Sequence, residues 1–147
     1  MLILLQRTSA CLIAFPPLLA PAQLEVAGCK KYQPHLVSLH GALERKTVAG
    51  PANYRHIYKG DEPETIWRLK LESPIRAEED KTQPDLNPRE KNVPKVQLVL
   101  NKQHTERAIV LRGKKVVATG TLFGAHSGHD HTPLLLTVTY LDAPRWT

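Results

Sequence analysis

Cysteine is scarce in this chain: of 147 residues only Cys11 and Cys29 carry a thiol. Cys11 lies in an N-terminal segment that reads as removable. Cys29 is then alone, which excludes an intrachain disulfide framework. Long apolar runs are missing too. The run Ala10–Leu19 is too short, and too broken by Pro16 and Pro17, to span a bilayer. Clustered charge is absent although the net charge is +6. Cations fall in scattered pairs such as Lys30-Lys31, Arg45-Lys46 and Lys114-Lys115, which suits solvation and weak attraction to anionic envelope polymers. There is no nucleophile elbow, phosphate loop, Cys/His protease context or internal repeat, so no residue is nominated as catalytic.

What is present begins with processing signals. Met1–Ala22 holds one cation, Arg7, no acid, an apolar stretch and the small-x-small site Ala20-Pro21-Ala22. That layout predicts a secretory signal peptide over 1–22 and a single mature domain over 23–147, periplasmic or secreted. Val26-Ala-Gly-Cys29 also resembles a lipoprotein cleavage box, which would anchor the chain by lipid at Cys29. Gln23 and Glu25 separate it from the apolar run, which disfavours that site. In an oxidising compartment a lone cysteine is buried, paired with another chain or reactive, and burial is the ordinary case.

Five runs alternate apolar and polar residues at the two-residue period of a strand with one buried face. They are His35–Thr47, Ile66–Glu72, Lys95–Leu100, Gly113–Phe123 and Leu134–Tyr140. The expected inward residues include Val37, Leu39 and Leu43, then Trp67, Leu69 and Leu71, then Val96, Leu98 and Leu100. In the last two runs they are Val116, Ala118, Gly120 and Leu122, then Leu134, Leu136, Val138 and Tyr140. Between the third and fourth runs, Asn101 is a plausible N-cap and Gly113 a plausible stop. Ala108, Ile109 and Leu111 form a weak apolar stripe, so one short helix is expected. The order β-β-β-α-β-β predicts an all-β fold with one short helix, a five-stranded OB-like β-barrel. Arg76–Lys95, rich in charge and proline, reads as a long exposed connection.

In such a barrel the loops after the first and fourth strands flank one face and form the usual ligand site. Here these are Val48–Thr65 and Phe123–Thr132, and they carry the candidate binding residues Asn53, Tyr54, Asp61, Glu62, His126, His129 and His131. His126, His129 and His131 follow the spacing H-x2-H-x-H. Three neutral imidazoles can bind zinc, with a carboxylate from Asp61, Glu62 or Glu64 completing the shell. The bland reading gives these histidines loop hydrogen bonds, or has one of them cap the barrel mouth. Asp61 and Glu62 form a carboxylate pair suited to acid–base work, but Gly60 and Pro63 beside them favour a tight turn. Tyr54 and Tyr58 either form an exposed recognition patch or seal the barrel mouth. Single-stranded nucleic acid needs aromatic platforms on the barrel face. The third strand has none, and Trp67 is in phase with the core, which disfavours that ligand.

Longer motifs carry a family resemblance. They are Cys29 followed by Tyr32, Gly50-Pro51-x-Asn53-Tyr54, Gly60-Asp-Glu-Pro-Glu64 before Trp67, Ser73-Pro74-Ile75, Asp85-x-Asn87, Val96-Gln97-Leu98, and Gly120-Thr-Leu-Phe123 running on to His126, His129, His131 and Pro133. Over roughly Cys29 to Val138 the chain resembles an exported bacterial family catalogued as domain of unknown function 4431. The resemblance brings no reaction. It implies a second cysteine at the position of Arg76, so a bridge to Cys29 is expected to be lost here. Taken together, the sequence predicts an exported binding or interaction module with no catalytic residues and no obligatory cofactor. Its site lies between the two loops, and its partner is an envelope protein, a glycan or a small ligand. The alternative is a small metal-dependent hydrolase using His126, His129 and His131.

Overall fold

The computed structural model describes residues 29–145. The segment read as a signal peptide lies outside the described residues. The fold is mostly β, with one α-helix and one six-stranded sheet. The strands are β1 (Cys29–Lys30), β2 (Leu36–Ala49), β3 (Pro63–Ala77), β4 (Glu90–Val99), β5 (Lys115–Gly124) and β6 (Leu134–Asp142), and helix α1 (Lys102–Leu111) joins β4 to β5. There are six strands rather than five because the short β1 lies parallel beside β3, with Cys29 opposite Arg76. The order is β1-β3-β2-β5-β6-β4, and β4 also pairs with β3. Each long strand therefore has two long neighbours, and β3 also carries β1. The β4–β6 pairing is parallel, and the other pairings among long strands are antiparallel. Among the described residues no helix is long and apolar enough to cross a membrane.

Alternation puts Leu39 and Leu43 of β2, Leu69 of β3, Val96 and Leu98 of β4, Val116, Ala118 and Leu122 of β5, and Leu134, Leu136 and Val138 of β6 into one core. Trp67 and Leu71 are half-buried against it, and the Arg45 guanidinium lies 5.8 Å from the Trp67 ring centre. Burying each such leucine contributes about 1.5–3 kcal/mol. Tyr140 departs from the pattern and is exposed. The β5–β6 register shifts between Thr119 and Gly120, so Thr119 faces Tyr140 while Gly120 faces Val138. That bulge inserts a residue and reverses which side chains face inward. Leu141, not Tyr140, is buried beyond it.

Helix α1 starts where expected. The Asn101 side chain accepts a hydrogen bond from the His104 amide at 2.8 Å, filling one of the open donors of the first turn. Ala108 and Leu111 pack inward, whereas Ile109 is exposed and contributes nothing to the stripe. The connection expected over Arg76–Lys95 is shorter than that. β3 continues to Ala77 and β4 begins at Glu90.

Nor is the remaining link all exposed. Asn87 is 2 % exposed, its Oδ1 accepts from the Gly124 amide at 3.0 Å, and its Nδ2 donates to Asp80 at 3.2 Å. Tyr32 is buried beside this link and donates its hydroxyl to the Pro88 carbonyl at 2.6 Å. Burial, followed by the charge of Glu90, pushes its phenol up to about 12.

Candidate functional site

The two loops meet. The first spans 50–62, between β2 and β3, and the second 125–133, between β5 and β6. Tyr54 of the first and His129 of the second pack edge to face, with ring centres 5.3 Å apart. Gly128 makes the approach possible. A Cβ there would stand 2.6 Å from a Tyr54 ring carbon, closer than any side chain allows.

The first loop is organised from within. Asp61 is 4 % exposed, and its carboxylate accepts from the backbone amides of Asn53 at 2.8 Å, Arg55 at 2.9 Å and His56 at 2.8 Å. Those amides, His56 first, lower its pKa to about 2. Three N–H donors stabilise the charged form strongly. Asp61 is thus a loop organiser, with its oxygens already engaged. Gly60 closes the turn in the left-handed region at φ 102°, where glycine carries no steric penalty. Glu62 and Asn53 are exposed, and Asn53 meets Asp61 through its backbone N–H. Tyr54 is half-buried between the loops, while Tyr58 stands 80 % exposed at the tip.

The second loop is held from outside. Glu64, the second residue of β3, receives two histidines. His129 Nδ1 lies 2.8 Å from its Oε1, and His131 Nε2 lies 3.3 Å from its Oε2. A carboxylate only accepts, so both imidazoles donate there. The Tyr54 hydroxyl lies 3.4 Å from His129 Nε2, a long contact. His126 points elsewhere: its Nδ1 donates to the Gly124 carbonyl at 3.1 Å, and its ring packs beside Phe123. The three histidines do not converge, and among the described residues no group of three or more His, Cys, Asp or Glu side chains is placed to hold a metal ion. The carboxylate that meets histidine is Glu64, not Asp61 or Glu62.

Gln97, on β4, escaped the sequence reading. It is 8 % exposed. Its Nε2 donates to the His129 carbonyl at 3.0 Å, and its Oε1 accepts from the His131 amide at 2.8 Å. Its own amide donates to Thr132 Oγ1 at 2.9 Å, and that hydroxyl donates to the Leu134 carbonyl at 2.6 Å. Its place within Val96-Gln97-Leu98 was the available signal, a polar residue among motif positions. Asp130 completes the loop by accepting from the amides of His126 at 2.8 Å and Ser127 at 2.9 Å.

The strands and helix that frame this second loop are also the part of the chain that matches a family model. Residues 95–142 match the family described as a domain of unknown function, DUF4431. The match covers the end of β4, α1, β5, the histidine loop and β6, and is narrower than the Cys29–Val138 span of the resembling motifs. The DUF4431 segment therefore contains Gln97 and all three loop histidines, while Tyr54, Asp61 and Glu64 lie outside it. No curated protein and no solved structure matches the chain.

Proposed function

We propose that this chain is an exported, OB-like β-barrel that works as a binding or interaction module, with its site at the junction of the 50–62 and 125–133 loops. The barrel reading rests on the closed cycle of pairings among the five long strands, the parallel β4–β6 pair, and a helix placed between β4 and β5. The observation that carries the site is the meeting of Tyr54 and Glu64 with His129 and His131. Loops that converge on one face of a rigid scaffold are where binding residues concentrate. Export rests on the sequence of residues 1–22 alone. The partner is an envelope protein, a glycan or a small ligand. Nothing in the geometry favours the hydrolase alternative, because His126 lies apart from His129 and His131.

The test is a set of two-dimensional amide NMR spectra of the chain, titrated with short peptides, cell-wall saccharides and divalent zinc. Shifts clustered in 50–64 and 125–133 support the module. Shifts confined to another surface, or no shift with any probe at millimolar concentration, defeat it. Stoichiometric zinc binding that moves His126, His129 and His131 together would instead promote the metal-dependent reading.

A further inference from the structure

Burial separates the two faces of the sheet. Leu69, Val96, Leu98, Leu134 and Leu136 enter the core. Ile66, Gln97 and Leu135 alternate with them and so lie on the opposite face. The register sets Gln97 beside Leu135 on one side and Arg68 on the other. Side chains on that face of a half-buried sheet usually meet water. These three do not, being 5 %, 8 % and 1 % exposed. Over Gln97 this face carries the chain's own residues 129–131, held by Gln97 itself and by Glu64, two residues before Ile66.

The way Gln97 holds that segment is specific. Its carboxamide takes one backbone carbonyl, at His129, and one backbone N–H two residues later, at His131. A carboxamide pairs with peptide backbone in this way whatever the side chains are. Glu64 supplies the side-chain reading, since it accepts from N–H donors at those same two positions. We propose that this face is a recognition site for an extended peptide segment of a partner protein, with His, Lys or Arg at two positions separated by one residue. Residues 129–131 fill it in cis until such a segment displaces them. The inference rests on the two-loop reading above and adds the class of ligand. The tethered occupant competes at an effective concentration on the order of millimolar, so the intact chain should bind a free peptide weakly.

The test uses the full chain and a fluorescent synthetic peptide with the sequence of residues 127–133. The double substitution His129→Gly with His131→Gly loosens the internal occupant and leaves Gln97 and Glu64 in place. It should bind the peptide at least about tenfold more tightly than the wild type, because the competitor is weakened. Adding Gln97→Ala should remove that gain. No gain in the double variant, or a gain that survives Gln97→Ala, overturns the proposal. If the double variant does not fold, hydrogen exchange of the wild type decides instead. The His131 amide should exchange faster than that of Leu136, and faster still with saturating peptide, because displacement takes away its Gln97 acceptor; equal protection of the two, or no response to peptide, overturns the proposal. Peptide shifts in the two loops that do not depend on Gln97 would sink this inference and spare the two-loop site. Absence of any loop response, to peptide or to the other probes, would sink both.

Discussion

The two loops of the site are built by opposite means. The 50–62 loop is tied by a residue of its own, since Asp61 gathers three amides from five to eight positions back. The 125–133 loop is tied chiefly by distant residues. Gln97 and Glu64 reach it from β4 and β3, and Asn87 holds the Gly124 amide where it begins. A locally tied loop keeps its shape as long as one carboxylate stays charged. A remotely tied loop keeps its shape only while the sheet beneath it is intact, and it can be released without unfolding that sheet.

Substitutions can break this contrast. Asp61→Ala should have the largest effect, because three inward-facing amides lose their acceptor together. We expect the greatest fall in melting temperature of the set, with exchange protection lost across 53–56. Acid should reproduce it. The Asp61 pKa is depressed to about 2 from an ordinary 3.8. Its contribution to stability is therefore present above about pH 4 and is lost as pH falls from there through about 2. Melting temperatures measured across that window should fall less steeply in Asp61→Asn than in the wild type.

Gln97→Ala comes next. It leaves the His129 carbonyl and the His131 amide without their partner, at a cost of about 1–3 kcal/mol. Denaturant unfolding should show that loss, and exchange protection should fall in 129–131 while 53–56 stays protected. If both loops loosen together, the contrast is wrong. His131→Ala should cost about 1 kcal/mol, because its side chain is only 16 % exposed. His126→Ala should cost close to nothing, its side chain being 54 % exposed. Equal losses at the two positions, reproduced by adding chelator to the wild type, would restore a shared metal.

Two further measurements concern the scaffold rather than the loops. Tyr32 has its phenol pushed up to about 12. The neutral form is favoured in the fold, so its contribution is full below about pH 10 and is lost as pH rises toward 12. Ultraviolet titration should show one late tyrosine step that Tyr32→Phe removes. Arg76→Cys should bridge to Cys29, because the two residues are register partners on adjacent strands, where Cα atoms lie about 5 Å apart, within disulfide reach. Thiol counting in denaturant that finds both cysteines free after oxidative refolding would refute the pairing.

Much of this was legible in the sequence because its cause is local. Alternation in Leu134–Val138 placed the last strand, and Asn101 announced the start of α1. The site was legible only in part. The two loops could be foreseen to meet once the strand order was inferred, and the histidines were visible. Their arrangement was not, because it is set at long range. Gln97 reads as an ordinary outward polar residue, and the two loop contacts of its side chain lie 32 and 34 positions away. Glu64 was one of three neighbouring carboxylates, and only the fold shows that Asp61 is consumed within its own loop. Tyr140 was misplaced because a bulge leaves no mark in an alternating pattern.

The Gly128–Tyr54 contact has a consequence for how the chain can change over time. With ring carbons where a Cβ at 128 would sit, position 128 cannot gain a side chain while the Tyr54 ring stays in place. Gly128→Ala should be damaging beside Tyr54 and nearly harmless beside Tyr54→Ala, so the double variant should be more stable than the sum of its parts. Position 128 falls inside the DUF4431 segment and position 54 outside it. The two halves of the chain are thereby tied to a common history: a side chain is gained at 128 at least cost in a background where the ring at 54 has already been lost or has moved aside.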